Sequence, residues 1–273
     1  MGIEGIYAGE KDIDFSLNVS PLIGPRKRYE GLTLLFTDQS RERELKEQMN
    51  MVVEERRQMK DMLARRLSAE VVEQMMSNPD AVRLGGGKKD ATVLFGDIRG
   101  YTSFSEGKSP EYIIEILNAY FNVAVEIVIR NRGFIDKFIG DAIMAEWGVP
   151  MMSKEQDAVN AVTAAWEIQQ AVADSKRAFF RGEAEHLRIG IGMNSGPLVA
   201  GNLGGERRMD YSVIGDTVNV AARLEGVAKG GEVVITNVTR DLLGDSFKLE
   251  ELEPVKVKGK EKPLHIFKVL HPR

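Results

Sequence analysis

From about residue 89 onward the apolar positions switch repeatedly between a two-residue and a helical period. Residues 91–98 (ATVLFGDI) form a short apolar run that predicts a strand. Ile113, Ile116, Leu117, Tyr120, Ala124, Ile127 and Val128 fall three and four apart, which predicts an amphipathic helix. The runs GFIDKFI and AIMAEWG predict two strands joined by a tight turn at Gly140-Asp141. Ala158, Val162, Ala165, Ile168 and Val172 mark a second helix, and HLRIGIGMN alternates as a strand does. The order strand–helix–strand–strand–helix–strand predicts an α+β domain with a ferredoxin-like split βαβ core (βαββαβ with extensions), continued by more strands and helices to residue 270.

The chain before residue 89 has a different texture. Residues 12–38 read as short strands with turns, too few to close a core. This segment resembles the C-terminal strands of a PAS sensor domain, whose last strand ends in an Asp, here Asp38, and runs into a charged helix. Leu45, Met49, Val52, Met59 and Leu63 follow steps of four and three, interrupted by Arg56, within a densely charged segment. That 3.5-residue seam predicts a two-stranded coiled coil; the alternative is one amphipathic helix packed on its own domain. Ser68–Asp80 reads as a capped helix ending at Asn78-Pro79. Gly85-Gly86-Gly87-Lys88 lacks the glycine spacing and the Ser/Thr of a phosphate loop and reads as a flexible joint. The expected divisions are a partial PAS-like segment (1–39), a coiled-coil signalling helix (40–67), a transducer helix and joint (68–88) and a catalytic domain (89–273).

Composition narrows the chemistry. Of 273 residues, 43% are hydrophobic, enough for a sizeable core. A net charge of −4 argues against a duplex nucleic-acid binder. With no cysteine, thiolate metal sites and disulfides drop out, and the three histidines have no zinc-ligand spacing. No uninterrupted apolar run approaches the roughly 18 residues of a membrane span, and the N-terminus lacks a secretory pattern. A cytoplasmic setting is expected, any membrane anchor lying outside this chain.

Asp97 ends a strand just before a small turn-forming run, which sets a carboxylate beside helix-entry N–H groups. Taken alone, a strand-ending Asp is more often a helix cap. Asp141 fills a hairpin turn, and in the split βαβ fold that hairpin neighbours the strand of Asp97. Two hard carboxylates with open positions suit two Mg²⁺ or Mn²⁺ ions bound with substrate phosphates. Asn219 and Arg223 lie four apart on one helical face, either a solvated face or a pair able to orient a ribose and neutralise phosphoryl charge. Val257-Lys258-Gly259-Lys260 reads as a basic turn.

Taken together, the runs FGDIRGYTSF, GFIDKFIGDAIMAEWG and YSVIGDTVNVAARLE resemble, in order, the signature blocks of the class III nucleotidyl cyclases. The resemblance covers roughly residues 60–270. It implies a homodimer, joined through the coiled coil and the catalytic domains, with composite sites. Asp97, Asp141 and the carbonyl of Ile98 match the metal ligands; Lys137 and Ser212 match the purine-reading positions. Asn219 matches the ribose-orienting residue, Arg223 the transition-state arginine, and Lys258 and Arg207 the phosphate contacts. The metals would come from one subunit and the remaining groups from the other. Lys137 can donate to adenine N1, whereas guanine presents an N–H there, so ATP is the expected substrate and cyclic AMP the product. Ser212 departs from the family's usual Asp or Thr; its hydroxyl can accept from an adenine amino group or donate to a guanine carbonyl. No histidine is placed to act as base, leaving a metal-bound carboxylate, water or the substrate phosphate. The rival readings are a guanylate or mixed-specificity cyclase and a non-catalytic nucleotide-binding regulatory module.

Overall fold

The computed structural model describes residues 15–25, 27–39, most of 41–54 with 57, and then 85–150, 155–174, 180, 182–205, 208–257 and 262–273. The chain divides into two compact units, Met1–Leu67 and Ser68–Arg273.

In the first unit, β1 (Phe15–Ile23) and β2 (Tyr29–Asp38) pair antiparallel, Phe15 opposite Asp38. Leu32, Leu34, Leu35 and Phe36 are all exposed, because a two-stranded ribbon has no second layer to cover either face. The described residues between 41 and 57 are helical, and Leu45, Met49 and Val52 of the heptad seam are exposed. Met59 and Leu63, which would continue the seam, lie outside the described residues, as does the helix expected at 68–80.

The second unit is built on one mixed sheet. Strand β3 (Gly85–Arg99) leads through α1 (Tyr101–Ser105) and α2 (Pro110–Arg130) to the hairpin of β4 (Phe134–Ile139) and β5 (Ala142–Trp147). Helix α3 (Asp157–Ala173) returns the chain to β6 (Arg188–Gly205), which pairs with β7 (Arg208–Ile214). Then come α4 (Asp216–Val227), β8 (Val233–Thr236), α5 (Asn237–Leu243), β9 (Phe247–Glu251) and β10 (Ile266–Pro272). The strand order is β4-β5-β3-β6-β8-β10-β9, with β7 attached to β6 off this path. Strand β5 is antiparallel to both β3 and β4 and lies between them, the arrangement of a split βαβ unit.

Local chemistry explains these elements. Helix α2 opens with the Ser109 hydroxyl accepting from the Tyr112 N–H, with Pro110 at its first position. Its face of Ile116, Tyr120, Ala124, Ile127 and Val128 is buried in the main core with Leu94, Trp147, Ile189, Ile191 and Met193. By length and composition α2 is apolar enough to cross a membrane. That face is nevertheless buried within the domain, and Glu111, Glu115 and Glu126 interrupt the rest of the helix.

One expectation is corrected. Gly85–Lys88, read as a flexible joint, is the start of β3, with Gly85 opposite Asn202 and Lys88 opposite Val199 on β6. A Cβ on Gly201 would lie 2.2 Å from the Gly85 carbonyl oxygen. Glycine here permits close strand contact rather than freedom.

The alternation in β6 divides its two faces by size. Ile189, Ile191 and Met193 enter the main core. On the other face a Cβ at Gly192 would strike the backbone of Leu224 and Glu225 in α4, and one at Gly190 would strike the Arg99 guanidinium. These two glycines seat helix α4 and an arginine directly on the sheet.

Candidate active site

The β3–β5 ladder ends with Gly96 opposite Ile143, so Asp97, Ile98 and Arg99 run on beside the β4–β5 turn. Gly140 makes that turn with φ of 63°, a left-handed conformation that costs glycine little. As a result the carboxyl groups of Asp97 and Asp141 lie close enough to interact. Burial foremost, then this contact and the Asp97 charge, push the Asp141 carboxyl from 3.8 up to about 6, opposed by the N–H groups of Asp141 and Ile98. Ile98 itself is buried. The buried Tyr120 hydroxyl has no hydrogen-bond partner among the described residues, and burial followed by the charges of Asp97 and Asp141 raises its pKa.

Two carboxylates forced together favour a shared proton or a cation between them. Among the described residues no group of three or more His, Cys, Asp or Glu side chains could hold a metal. The pair therefore supplies too few ligands for a closed protein cage and suits a hard ion whose remaining positions are filled by phosphate oxygens and water. That donor set fits Mg²⁺ or Mn²⁺.

Arg99 ties this pair to helix α4. Its Nη1 donates to Asp97 Oδ2 at 2.9 Å and lies 2.5 Å from Glu225 Oε1. Its Nε donates to the Ala228 carbonyl at 3.0 Å, and its Nη2 donates to the Glu225 carbonyl. The carbonyls at a helix C-terminus lack intrahelical donors, so a guanidinium is a natural cap there. Burial raises the Glu225 carboxyl above its ordinary value even with Arg99 against it.

A second cluster forms where β4 meets β7. Lys137 Nζ donates to Ser212 Oγ at 3.1 Å, and Ser212 Oγ donates to Asp136 Oδ2 at 2.5 Å. Lys137 Nζ is also 3.3 Å from Asp136 Oδ1. The Asp136 side chain is 1% exposed and that of Lys137 42%. Beside them Glu146 is fully buried, and among the described residues its oxygens have no hydrogen-bond partner. Burial, then the neighbouring Asp136 charge, pushes the Glu146 carboxyl up to about 10, so it is neutral at physiological pH.

Helix α4 buries Thr217, Val220, Ala221 and Leu224. Asn219 is consequently exposed and Arg223 half-buried. Among the described residues neither side chain has a hydrogen-bond or ion-pair partner. Lys258 and Arg207 lie outside the described residues. A cleft of about 550 Å³ opens elsewhere, between Asp90–Thr92, Ser195–Pro197 and helix α5, and none of the candidate residues lines it.

In the structure Asp97 lies beside Asp141, Lys137 donates to Ser212, and Asn219 and Arg223 share helix α4. Sequence reasoning missed Arg99, Asp136 and Glu146. Glu146 carried a visible signal, an acid inside the apolar run AIMAEW. Arg99 carried none, since its partners on helix α4 are 126 and 129 residues away.

The family described as the adenylate and guanylate cyclase catalytic domain matches residues 86–269. An adenylate cyclase of Anabaena cylindrica is 40% identical over 187 residues, covering 65% of this chain and 36% of its own length. The terminal-differentiation-specific adenylate cyclase of Dictyostelium discoideum is 35% identical over 187 residues, 67% of this chain and 9% of its own. The chain therefore spans about a third or less of the curated relatives it matches. Among solved structures, the adenylyl cyclase CyaB from P. aeruginosa is 35% identical with a TM-score of 0.65, covering 70% of this chain and 98% of that one. The guanylyl cyclase Cya2 is also 35% identical, with a TM-score of 0.66 and coverage of 70% and 96%. Equal likeness to proteins named for different purines leaves base choice to individual residues. With the paired aspartates, the Lys137–Ser212 contact and the matched span in agreement, this chain belongs to the adenylate and guanylate cyclase catalytic domain family.

Proposed function

We propose that this chain is an adenylate cyclase, converting ATP to 3′,5′-cyclic AMP and pyrophosphate at composite sites of a homodimer. The observation that carries the reading is the pairing of Lys137 with Ser212 at a position apart from the Asp97–Asp141 pair. One cluster offers donors and an acceptor to a purine edge; the other offers negative charge to metal ions.

In this mechanism Asp97, Asp141 and the Ile98 carbonyl hold two Mg²⁺ or Mn²⁺ ions, which when bound lower the pKa of the ribose 3′-hydroxyl and neutralise the leaving phosphates. Lys137 donates to adenine N1 and Ser212 meets the 6-amino group. Asn219 orients the ribose for in-line attack of its 3′-oxygen on the α-phosphate. Arg223 opposes the negative charge that develops there, where a guanidinium in a dry site is worth far more than in water. Lys258 and Arg207 are assigned to the terminal phosphates.

A partner subunit is supported by apolar surface around these groups. Phe138 and Ile139 on edge strand β4 are 47% and 51% exposed, and Ile214 on β7 is 50% exposed. The metal aspartates come from one subunit and Lys137, Ser212, Asn219 and Arg223 from the other, so a monomer is inactive. The heptad seam of residues 45–63 pairs with its copy as a coiled coil. The N-terminal PAS-like segment acts through that seam, altering how the catalytic halves meet.

The test is product analysis with ATP and GTP in competition and Mn²⁺ present, repeated with Lys137→Glu. Cyclic AMP from the dimer, with a shift toward cyclic GMP in the variant, is expected. Predominant cyclic GMP from the unaltered protein would make it a guanylate cyclase. No cyclic nucleotide from a confirmed dimer would make it a regulatory module.

A further inference from the structure

We infer that Asp136 is a specificity-determining residue: it fixes the polarity of the Ser212 hydroxyl so that Ser212 can only accept a hydrogen bond from the purine. The inference rests on the assignment of Lys137 and Ser212 to base reading.

A serine hydroxyl has one proton and two lone pairs, and in isolation can satisfy either adenine or guanine. Here both polar neighbours of Ser212 have fixed roles. The Lys137 ammonium, 3.1 Å from Ser212 Oγ, has only donors, so Ser212 must accept from it. The Asp136 carboxylate, 2.5 Å away, has only lone pairs, so the Ser212 proton goes there. Residue Ser212 is 4% exposed, too enclosed for its hydroxyl to turn to water instead. One lone pair remains. It can accept from the 6-amino group of adenine, and it opposes the 6-carbonyl of guanine, which also presents lone pairs.

The ambiguity of Ser212 is therefore removed by the residue beside Lys137. The carboxylate holds both readers at once, Lys137 on Oδ1 and Ser212 on Oδ2. Glu146 is buried alongside, its carboxyl pushed up by burial and by the Asp136 charge. Asp136 touches no substrate in this scheme, so it is a positioning residue.

Asp136→Asn supplies the test. The amide oxygen should stay toward Lys137, because an amide nitrogen would face an ammonium. That turns the amide N–H toward Ser212, whose proton is then released to the purine. The measurement is the ratio of kcat/KM for ATP to that for GTP in the unaltered dimer, D136N, S212A and the double variant. Equilibrium affinities for the α,β-methylene analogues of ATP and GTP are measured in parallel. The ratio is expected to fall about tenfold or more in D136N, chiefly by a gain with GTP. In the S212A background the same change should leave the ratio within about twofold, since the group it acts through is gone. An unchanged ratio in D136N, or an equal fall in both backgrounds, overturns the inference. If D136N shows no cooperative thermal transition, Asp136→Ala replaces it with the same expected fall. Absent turnover with intact analogue discrimination would sink the cyclase reading alone, whereas equal affinity of the unaltered protein for both analogues would sink this one.

Discussion

Arg99 and Glu225 form an ion pair at 2.5 Å that fastens the end of strand β3 to the end of helix α4. The same guanidinium donates to Asp97, so the strand bearing Asp97 and the helix bearing Arg223 share one clamp. Arg99→Ala removes four interactions, two of them to helix-end carbonyls, of which that of Glu225 keeps the Ala228 N–H. Hydrogen bonds to charged groups contribute about 1.5–3 kcal/mol each when buried, and this site is partly exposed, so a net loss of about 2 kcal/mol is expected. Denaturant unfolding would show it as a lowered midpoint at constant slope; an unchanged midpoint would mean the clamp is ornamental.

For catalysis itself, Arg223 is the most discriminating position. Because its side chain has no partner among the described residues, Arg223→Ala should leave folding nearly intact. Removing a group that acts mainly in the transition state lowers kcat by about 10²–10³ with KM changed only a few-fold. Steady-state kinetics with ATP decide the matter: a large rise in KM with normal kcat would assign Arg223 to substrate binding alone.

Metal binding should carry a pH signature. The folded, metal-free Asp141 has its pKa raised from 3.8 to about 6. Its contribution to stability is therefore complete below pH 3.8 and is lost as pH rises through about 6. Metal binding must displace that proton, so Mn²⁺ affinity should fall about tenfold per pH unit below the folded pKa. Calorimetric titration in buffers of different ionisation enthalpy should register proton release near pH 5. Metal affinity that stays flat between pH 5 and 7 would contradict the close pairing of the two carboxyls.

Glu146 makes a stability prediction of the same sign through a different cause. Its pKa is raised from 4.5 to about 10, so its contribution is full below pH 4.5 and declines as pH rises toward 10. Glu146→Met places an apolar chain of similar length where two carboxyl oxygens lack partners among the described residues. The variant should melt roughly 2–4 °C higher near neutral pH and lose part of the alkaline decline. Thermal scans at pH 5, 7 and 9 check both; a variant less stable at every pH would imply that the buried acid holds Asp136 in place.

The elements that were legible in the sequence are those with a long, uniform period. The stripes of α2 and α3 and the strand runs around Asp97 and Asp141 appear where the apolar positions predict them. Gly85–Lys88 was misread because glycine permits both a loose joint and a tight strand contact, and only the facing strand decides which. Candidate residues inside contiguous blocks can be proposed from those blocks, whereas Arg99 acts on Glu225 and Ala228 across the fold, a distance no local pattern encodes. Asp136 was overlooked for a simpler reason: beside Lys137 it looks like an ordinary neutralising neighbour until Ser212 is brought to its other oxygen. Roles for Lys258 and Arg207 rest on the motif resemblance alone.

The bare backbone of β6 beneath helix α4 has a mechanical consequence. At Gly192 no side chain intervenes between sheet and helix, so the height of Arg223 is set by contact between two backbones. Such a contact has no rotamers and hardly compresses. A movement of α4 would thus carry Asn219 and Arg223 together as a stiff lever, with Gly192 as its fulcrum and Arg99 as the latch at its far end. Even one methyl group at the fulcrum would lengthen the reach of the lever, altering how the arginine meets a phosphate while leaving every residue of the candidate site in place.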